Sequence, residues 1–332
     1  MPKIILLNRM LHQGGQEWLA ARADVEVVPP DAPGERIAQA VASADAVLVR
    51  LPIRLTRELV AAAPRLRVIG IEGAGFDHID VAAATEAGIP VVNNVGVGAT
   101  PVAEHAVGLM LALARRIAKG NAGLRHEGWA CRDAFLGGEM GTELSGKTVG
   151  IVGFGAIGRQ VARICLAAFE NRILAYDPLL DDGLFHAMHV DRRRRLRELL
   201  PEADFVTIHT PLNAETRHVI GAAELGLMKP TAYLINCARG PVVDEAALYA
   251  ALHEGRIAGA GIDVFDPEPP ASTNPLFGLP NVIVTPHIAG VSQETSRRLS
   301  LAAAEQVMQV LADERPPRLV NPEVWARRRR PT

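Results

Sequence analysis

Three polar residues sit in restrained local settings: Arg239 directly before Gly240, Glu268 between Pro267 and Pro269, and His287 inside Thr285-Pro286-His287-Ile288-Ala289-Gly290. Their chemistry is complementary. A planar guanidinium grips a carboxylate through a two-pronged fork. An imidazole titrates near neutral pH and can give or take a proton. A carboxylate beside that imidazole holds its tautomer and favours its protonated form. Such a set would anchor a 2-oxo acid through Arg239 and protonate its carbonyl oxygen from His287 while a hydride reaches C2. In the oxidative direction a neutral His287 would take the hydroxyl proton. No metal is needed for this chemistry.

A hydride source is written upstream. Gly153-Phe154-Gly155-Ala156-Ile157-Gly158 is a GxGxxG that follows an apolar run at 148–152 and opens a helical stretch at 156–168. Gly153 permits the tight turn, Gly155 lets the backbone approach a pyrophosphate, and Gly158 lets helix and strand pack closely. The helix N-terminus at Ala156 offers N–H groups and a partial positive charge to phosphates. The next apolar run, 173–176, ends in Asp177, 19 residues after Gly158. A carboxylate there accepts hydrogen bonds from ribose hydroxyls and repels a 2′-phosphate, so the expected cofactor is NAD rather than NADP.

The elements that must position these residues show a βα rhythm. Apolar runs at 4–7, 25–28, 46–49, 68–71 and 90–92 read as strands of a first sheet, with helix-like pieces such as 36–43 and 57–62 between them. Runs at 148–152, 173–176, 205–209, 232–236, 259–263 and 282–285 read as six further parallel strands. Ligands bind beyond the carboxyl ends of strands in such sheets, so polar residues at 209–212, 236–240, 261–269 and 285–290 are expected to converge. A mostly apolar helix is expected over 101–116, started by Pro101, and an amphipathic one over 292–311. The Gly-rich stretch 118–146 reads as an irregular, extended arm. The expected fold class is α/β with two doubly wound parallel-sheet domains: a Rossmann NAD-binding domain at 100–290 inserted into a flavodoxin-like substrate domain at 1–99 and 291–332.

Composition supports the same picture. The 332 residues are 48% hydrophobic but only 4% aromatic, which suits strands of Val, Ile and Leu under Ala-rich helices. A net charge of −2 leaves no overall footprint for nucleic acid or a membrane surface. The basic runs 192–195 and 327–330 read as solvated, the second as a tail. Cys131, Cys165 and Cys237 fit neither a disulfide framework nor a zinc site. The first residues read as a strand, not a signal peptide, and no run reaches the roughly 18 apolar residues of a membrane span, so a cytoplasmic protein is expected. Trp18, Trp129 and Trp325 read as packing anchors, and Glu104 and His105 as structural residues of an apolar helix.

The ordered motifs as a set resemble those of the D-isomer-specific 2-hydroxyacid dehydrogenases, in the branch that includes phosphoglycerate dehydrogenases and glyoxylate/hydroxypyruvate reductases. They are Gly73-Ala74-Gly75-Phe76-Asp77-His78-Ile79-Asp80, Val102-Ala103-Glu104-His105, GFGAIG at 153–158, HTPLN at 209–213, NCARG at 236–240, GIDVFDPEPP at 261–270 and TPHIAG at 285–290. The resemblance implies Arg239, Glu268 and His287 as catalytic, and the N–H groups of Ala74 and Gly75 as further holders of the substrate carboxylate. It implies cofactor contacts from Thr100, Ala156, Ile157, Asp177, Thr210, Pro211, Thr216, Cys237, Ala238, Asp263, His287 and Gly290, with Asp263 at the nicotinamide carboxamide. It implies a homodimer formed through the NAD-binding domains, with the 118–146 arm involved. Arg50, by the same resemblance, is a candidate for a substrate phosphate.

The chain departs from the family at His78, where Asn is frequent, and over 178–198, which matches poorly. The regulatory C-terminal domain of long phosphoglycerate dehydrogenases is not expected. Two other functions compete. One is an NAD-sensing binding protein resembling the family's corepressors. The other is a formate- or phosphite-oxidising relative, disfavoured because the formate branch carries Gln where Glu268 stands.

Overall fold

The computed structural model describes residues 1–330, with Pro331 and Thr332 of the expected substrate segment outside the described residues. The chain divides into two units, Met1–Gly98 with the segment from Val291 onward, and Ala99–Gly290.

The first unit holds a five-stranded parallel sheet. Its strands are β1 (Lys3–Leu7), β2 (Asp24–Val28), β3 (Ala46–Val49), β4 (Val68–Ile71) and β5 (Val91–Val92), in spatial order β2-β1-β3-β4-β5. That is the flavodoxin-like doubly wound order, with its switch point between β1 and β3. Every residue of β3 and β4 is buried, because helices cover both faces of a parallel sheet. The helix Gln293–Leu311 belongs to this unit and starts at Ser292, whose Oγ accepts from Thr295 N–H at 3.1 Å. Its Ala303, Ala304, Val307 and Val310 join Ile4, Leu6, Val68 and Val92 in one core.

The second unit holds a seven-stranded parallel sheet. Its strands are β6 (Thr148–Val152), β7 (Arg172–Tyr176), β8 (Asp191–Arg192), β9 (Phe205–Ile208), β10 (Tyr233–Asn236), β11 (Gly259–Ile262) and β12 (Val282–Val284). The order is β12-β11-β10-β9-β6-β7-β8, a dinucleotide-type sheet whose switch point lies between β9 and β6. The helix Ala99–Ala114 carries eight buried residues, Met110 and Leu113 among them, in the same core as Val149, Ile151 and Phe154.

Four expectations need correction. The second sheet has a strand the apolar pattern does not reveal: Asp191 and Arg192 pair with Leu174 and Ala175, inside the poorly matching stretch. The Gly-rich arm is helical, with α-helices Ile117–Glu127 and Arg132–Leu136 around a 3₁₀ turn at Gly128–Cys131, and none of their residues is buried. Trp129 is no packing anchor among the described residues, being 75% exposed. Neither basic run is loosely solvated. Arg192 and Arg194 both pair with Asp182, and the Arg192 guanidinium stacks 4.8 Å from the Phe185 ring. Arg328 pairs with Asp313 and lies 3.9 Å over the Trp325 ring, while Arg329 donates to the carbonyls of Ala63, Pro64 and Leu66. Charge runs read as solvated when their partners are distant in sequence.

Candidate active site at the strand ends of the dinucleotide sheet

The glycine loop follows β6 and the His209-Thr210-Pro211 segment follows β9, so both lie at the switch point of this sheet. Gly153 has φ +91°, and a Cβ there would fall 2.8 Å from the His209 carbonyl; only glycine fits. A Cβ on Gly158 would fall 2.3 Å from the Gly153 carbonyl oxygen, whereas one on Gly155 would meet nothing within 4 Å. The loop is thus packed tightly behind and open in front. The helix Ala156–Phe169 starts at Gly155 with no side-chain cap, so its first N–H groups have no side-chain acceptor. Asp177 stands at the end of β7, its Oδ2 accepting from Phe154 N–H at 2.9 Å and its Oδ1 from Leu179 N–H at 3.0 Å. Thr210 Oγ1 is buried with no hydrogen-bond partner. A pyrophosphate on the open face of the loop and a ribose at Asp177 suit this cradle, so the residues fit a nicotinamide dinucleotide. Of the other expected cofactor contacts, Thr100 and Pro211 are exposed, Ile157, Thr216 and Gly290 half-buried, and Cys237 and Ala238 buried.

His209 is neutral at any ordinary pH, because complete burial lowers its pKa to about 3, and its Nε2 is 3.0 Å from Thr207 Oγ1. The Cys237 thiol is pushed up by burial and then by the Asp263 charge, so it stays protonated and is no nucleophile.

Arg239, Glu268 and His287 all belong to this unit. Gly240 lies so close to the next strand-end segment that a Cβ would fall 1.9 Å from the Phe265 carbonyl oxygen. That approach carries the preceding Arg239 alongside the segment that bears Glu268. The Arg239 Nη1 donates to the Ala238 carbonyl at 2.7 Å. Glu268 Oε2 is 2.8 Å from His287 Nδ1, and its Oε1 accepts from Phe265 N–H at 3.0 Å. Burial raises the Glu268 pKa, but the hydrogen bond and charge of His287, the Phe265 N–H and the Arg239 guanidinium outweigh it, leaving the carboxyl below its usual range. Glu268 is therefore an ionised acceptor that keeps a proton on Nδ1 of the imidazole and leaves Nε2 for chemistry.

His287 has φ +53°, a left-handed backbone that few residues other than glycine adopt, and it costs about 1–3 kcal/mol unless held. It is held by Asp263. The Asp263 carbonyl accepts from His287 N–H at 2.8 Å, and its carboxylate accepts from Ile288 N–H and Ala289 N–H, both at 2.9 Å. Asp263, expected at the nicotinamide carboxamide, has no exposed surface. Its Oδ1 also accepts from the Thr285 hydroxyl at 2.5 Å. By sequence alone Thr285 is a motif residue without a role and His105 a structural residue; the signal for His105 is a lone imidazole on an apolar helix.

The remaining candidates belong to the first unit. The turn after β4 exposes Ala74, half-buries Gly75, and is held by Asn93 Nδ2 donating to the Ala74 carbonyl at 2.7 Å. Arg50 follows β3, with its Nε buried and without a hydrogen-bond partner.

Comparison with known proteins gives the family. The family profile described as "D-isomer specific 2-hydroxyacid dehydrogenase, NAD binding domain" matches residues 107–289. The chain is 41% identical over 317 residues to a D-3-phosphoglycerate dehydrogenase of Methanocaldococcus jannaschii, covering 96% of this chain but only 59% of that protein's length. It is 41% identical over 330 residues to a glyoxylate reductase of Thermofilum pendens, covering 97% of this chain and 95% of the other. Among solved structures, an NADPH-dependent glyoxylate/hydroxypyruvate reductase of Sinorhizobium meliloti in complex with NADP and malonate aligns over 100% of this chain and 99% of its own, with a TM-score of 0.86 and 28% identity.

Proposed function

Because the chain belongs to the D-isomer-specific 2-hydroxyacid dehydrogenases, we propose that it moves a hydride between NAD(H) and C2 of a small D-2-hydroxy or 2-oxo acid. The observation that carries this reading is the 2.8 Å hydrogen bond between His287 Nδ1 and Glu268 Oε2, beyond the ends of β11 and β12 in the same sheet as the glycine cradle. The nicotinamide ring supplies or accepts the hydride. His287 protonates the carbonyl oxygen from Nε2 during reduction and takes the hydroxyl proton during oxidation. Glu268 holds the tautomer and stabilises the imidazolium. Arg239 binds the substrate carboxylate and polarises the adjacent carbonyl. In the first unit, the backbone N–H groups of Ala74 and Gly75 are donors suited to a carboxylate, and Arg50 is a cation suited to a substrate phosphate.

Asp177 favours NAD, since its carboxylate accepts from ribose hydroxyls and repels a 2′-phosphate. The arm forms a homodimer contact with a second copy: Ile117, Leu124, Trp129, Leu136 and Met140 are all more than half exposed, a concentration of bare apolar surface that a monomer rarely carries.

The test is NADH consumption with glyoxylate, hydroxypyruvate, pyruvate, 2-oxoisocaproate and phosphohydroxypyruvate. Turnover on at least one supports the reading. Tight NADH binding without turnover on any would replace it with the cofactor-sensing alternative.

A further inference from the structure

His105 lies in the helix Ala99–Ala114, between buried Ala103 and Ala106, and its imidazole is hydrogen-bonded rather than merely packed. Its Nε2 is 3.0 Å from Thr285 Oγ1 and 3.7 Å from Asp263 Oδ1. The direction of each bond follows from chemistry. An ionised carboxylate only accepts, so the Thr285 hydroxyl donates to Asp263 across 2.5 Å. The Thr285 oxygen then has only lone pairs left for His105, which must donate from Nε2–H. The chain of donors runs from His105 to Thr285 to Asp263. It ends on the Asp263 carboxylate, which also accepts from the backbone N–H groups of Ile288 and Ala289, while the Asp263 backbone carbonyl accepts from His287 N–H.

The left-handed backbone of His287 is the element this chain supports. Asp263 is wholly buried, so the number and geometry of its donors decide where the turn sits. Without His105 the Thr285 hydroxyl is held by its donation to Asp263 alone and can swing about that one bond. His105 removes that freedom by fixing the oxygen's lone pairs.

We propose that His105 is a positioning residue for proton transfer, acting through Thr285 and Asp263 to hold the His287 imidazole at its reactive angle. The proposal rests on the reading that His287 moves the proton. The contacts of its Nε2 are to Thr285 and Asp263. A misplacement of the order of 1 Å at the reacting groups costs roughly 10²-fold in rate, so a relaxed turn is enough to matter.

The experiment compares kcat and KM for reduction of the best 2-oxo acid in His105→Ala, His105→Gln, Thr285→Val, the His105→Ala/Thr285→Val pair, and His287→Ala. His105→Ala is expected to lower kcat by roughly 10- to 100-fold while KM for NADH stays within about twofold, since the turn moves and the cradle does not. His105→Gln keeps an N–H donor at nearly the position of Nε2 and is expected to regain most of the rate. Thr285→Val should match His105→Ala, and the double variant should be no worse than either, because each cuts the same chain. Wild-type kcat in His105→Ala, no rescue by Gln, or losses that multiply in the double variant each overturn the proposal. If His105→Ala does not fold, unchanged kcat in Thr285→Val overturns it equally. Wild-type turnover in His287→Ala would instead remove the assignment of His287, a distinguishable failure.

Discussion

The turn at 285–290 and the arm at 117–136 are opposite kinds of structure within one unit. In the turn, polar groups fix nearly every backbone position: Asp263 alone meets three N–H groups and a hydroxyl there. In the arm no residue is buried, and Trp129 and Leu136 show 75% and 60% of their surfaces. The turn is built for one conformation, as the proposed proton-transfer role of His287 requires. The arm keeps apolar side chains bare, as the proposed contact with a second copy requires. Damage to the first should appear in kcat with assembly intact, and damage to the second in assembly with the chemistry per site intact.

The sharpest way to break that contrast is Glu268→Gln. Removing the carboxylate leaves the His287 tautomer unheld and the imidazolium unstabilised, so reduction should slow by roughly 10²-fold and its working range should move to lower pH. Steady-state rates across pH check this; an unshifted profile at wild-type rate would show the pair to be decorative.

Asp177→Ala comes next. Losing a charged acceptor for the ribose hydroxyls, worth about 1.5–3 kcal/mol, should raise KM for NADH by roughly 10- to 100-fold and relax the preference against NADPH. Paired kcat/KM values for the two cofactors measure it, and an unaltered ratio contradicts the assignment.

In the arm, Trp129→Ser with Leu136→Ser should shift the sedimentation coefficient toward the monomer at micromolar concentration. Turnover per subunit in the assembled fraction should hold. A monomeric wild type would end the proposal that this surface meets a second copy.

The smallest effect is on stability. His209 titrates near 3 when folded and near 6.5 when unfolded. Below the unfolded value only the unfolded chain takes the proton, so this contribution is present above pH 6.5 and lost as pH falls, by at most about 1.4 kcal/mol per pH unit. Denaturant unfolding between pH 6.5 and 5 should show a shallower slope in His209→Gln than in wild type.

The contrast also explains what the sequence made legible. Strands such as β3 and β4 are buried at every position, so they appear as uninterrupted apolar runs. The glycine loop was legible because its spacing is set by the close approaches at Gly153 and Gly158. Strand β8 was hidden because it is two polar residues held by their neighbours in β7. The arm's helices were hidden because nothing in them is buried, so no apolar period marks them. His105 and Thr285 are 180 residues apart, and no local pattern links a histidine on one helix to a threonine after a distant strand.

The most direct test is the pH dependence of kcat/KM for 2-oxo acid reduction in wild type and in His287→Gln. Wild type should lose activity as pH rises through the titration of its imidazole, because the neutral form has no proton to give. The variant should lose that limb together with roughly 10²- to 10⁴-fold of the rate. The same limb, at the same pH and at wild-type rate, in His287→Gln would contradict the account.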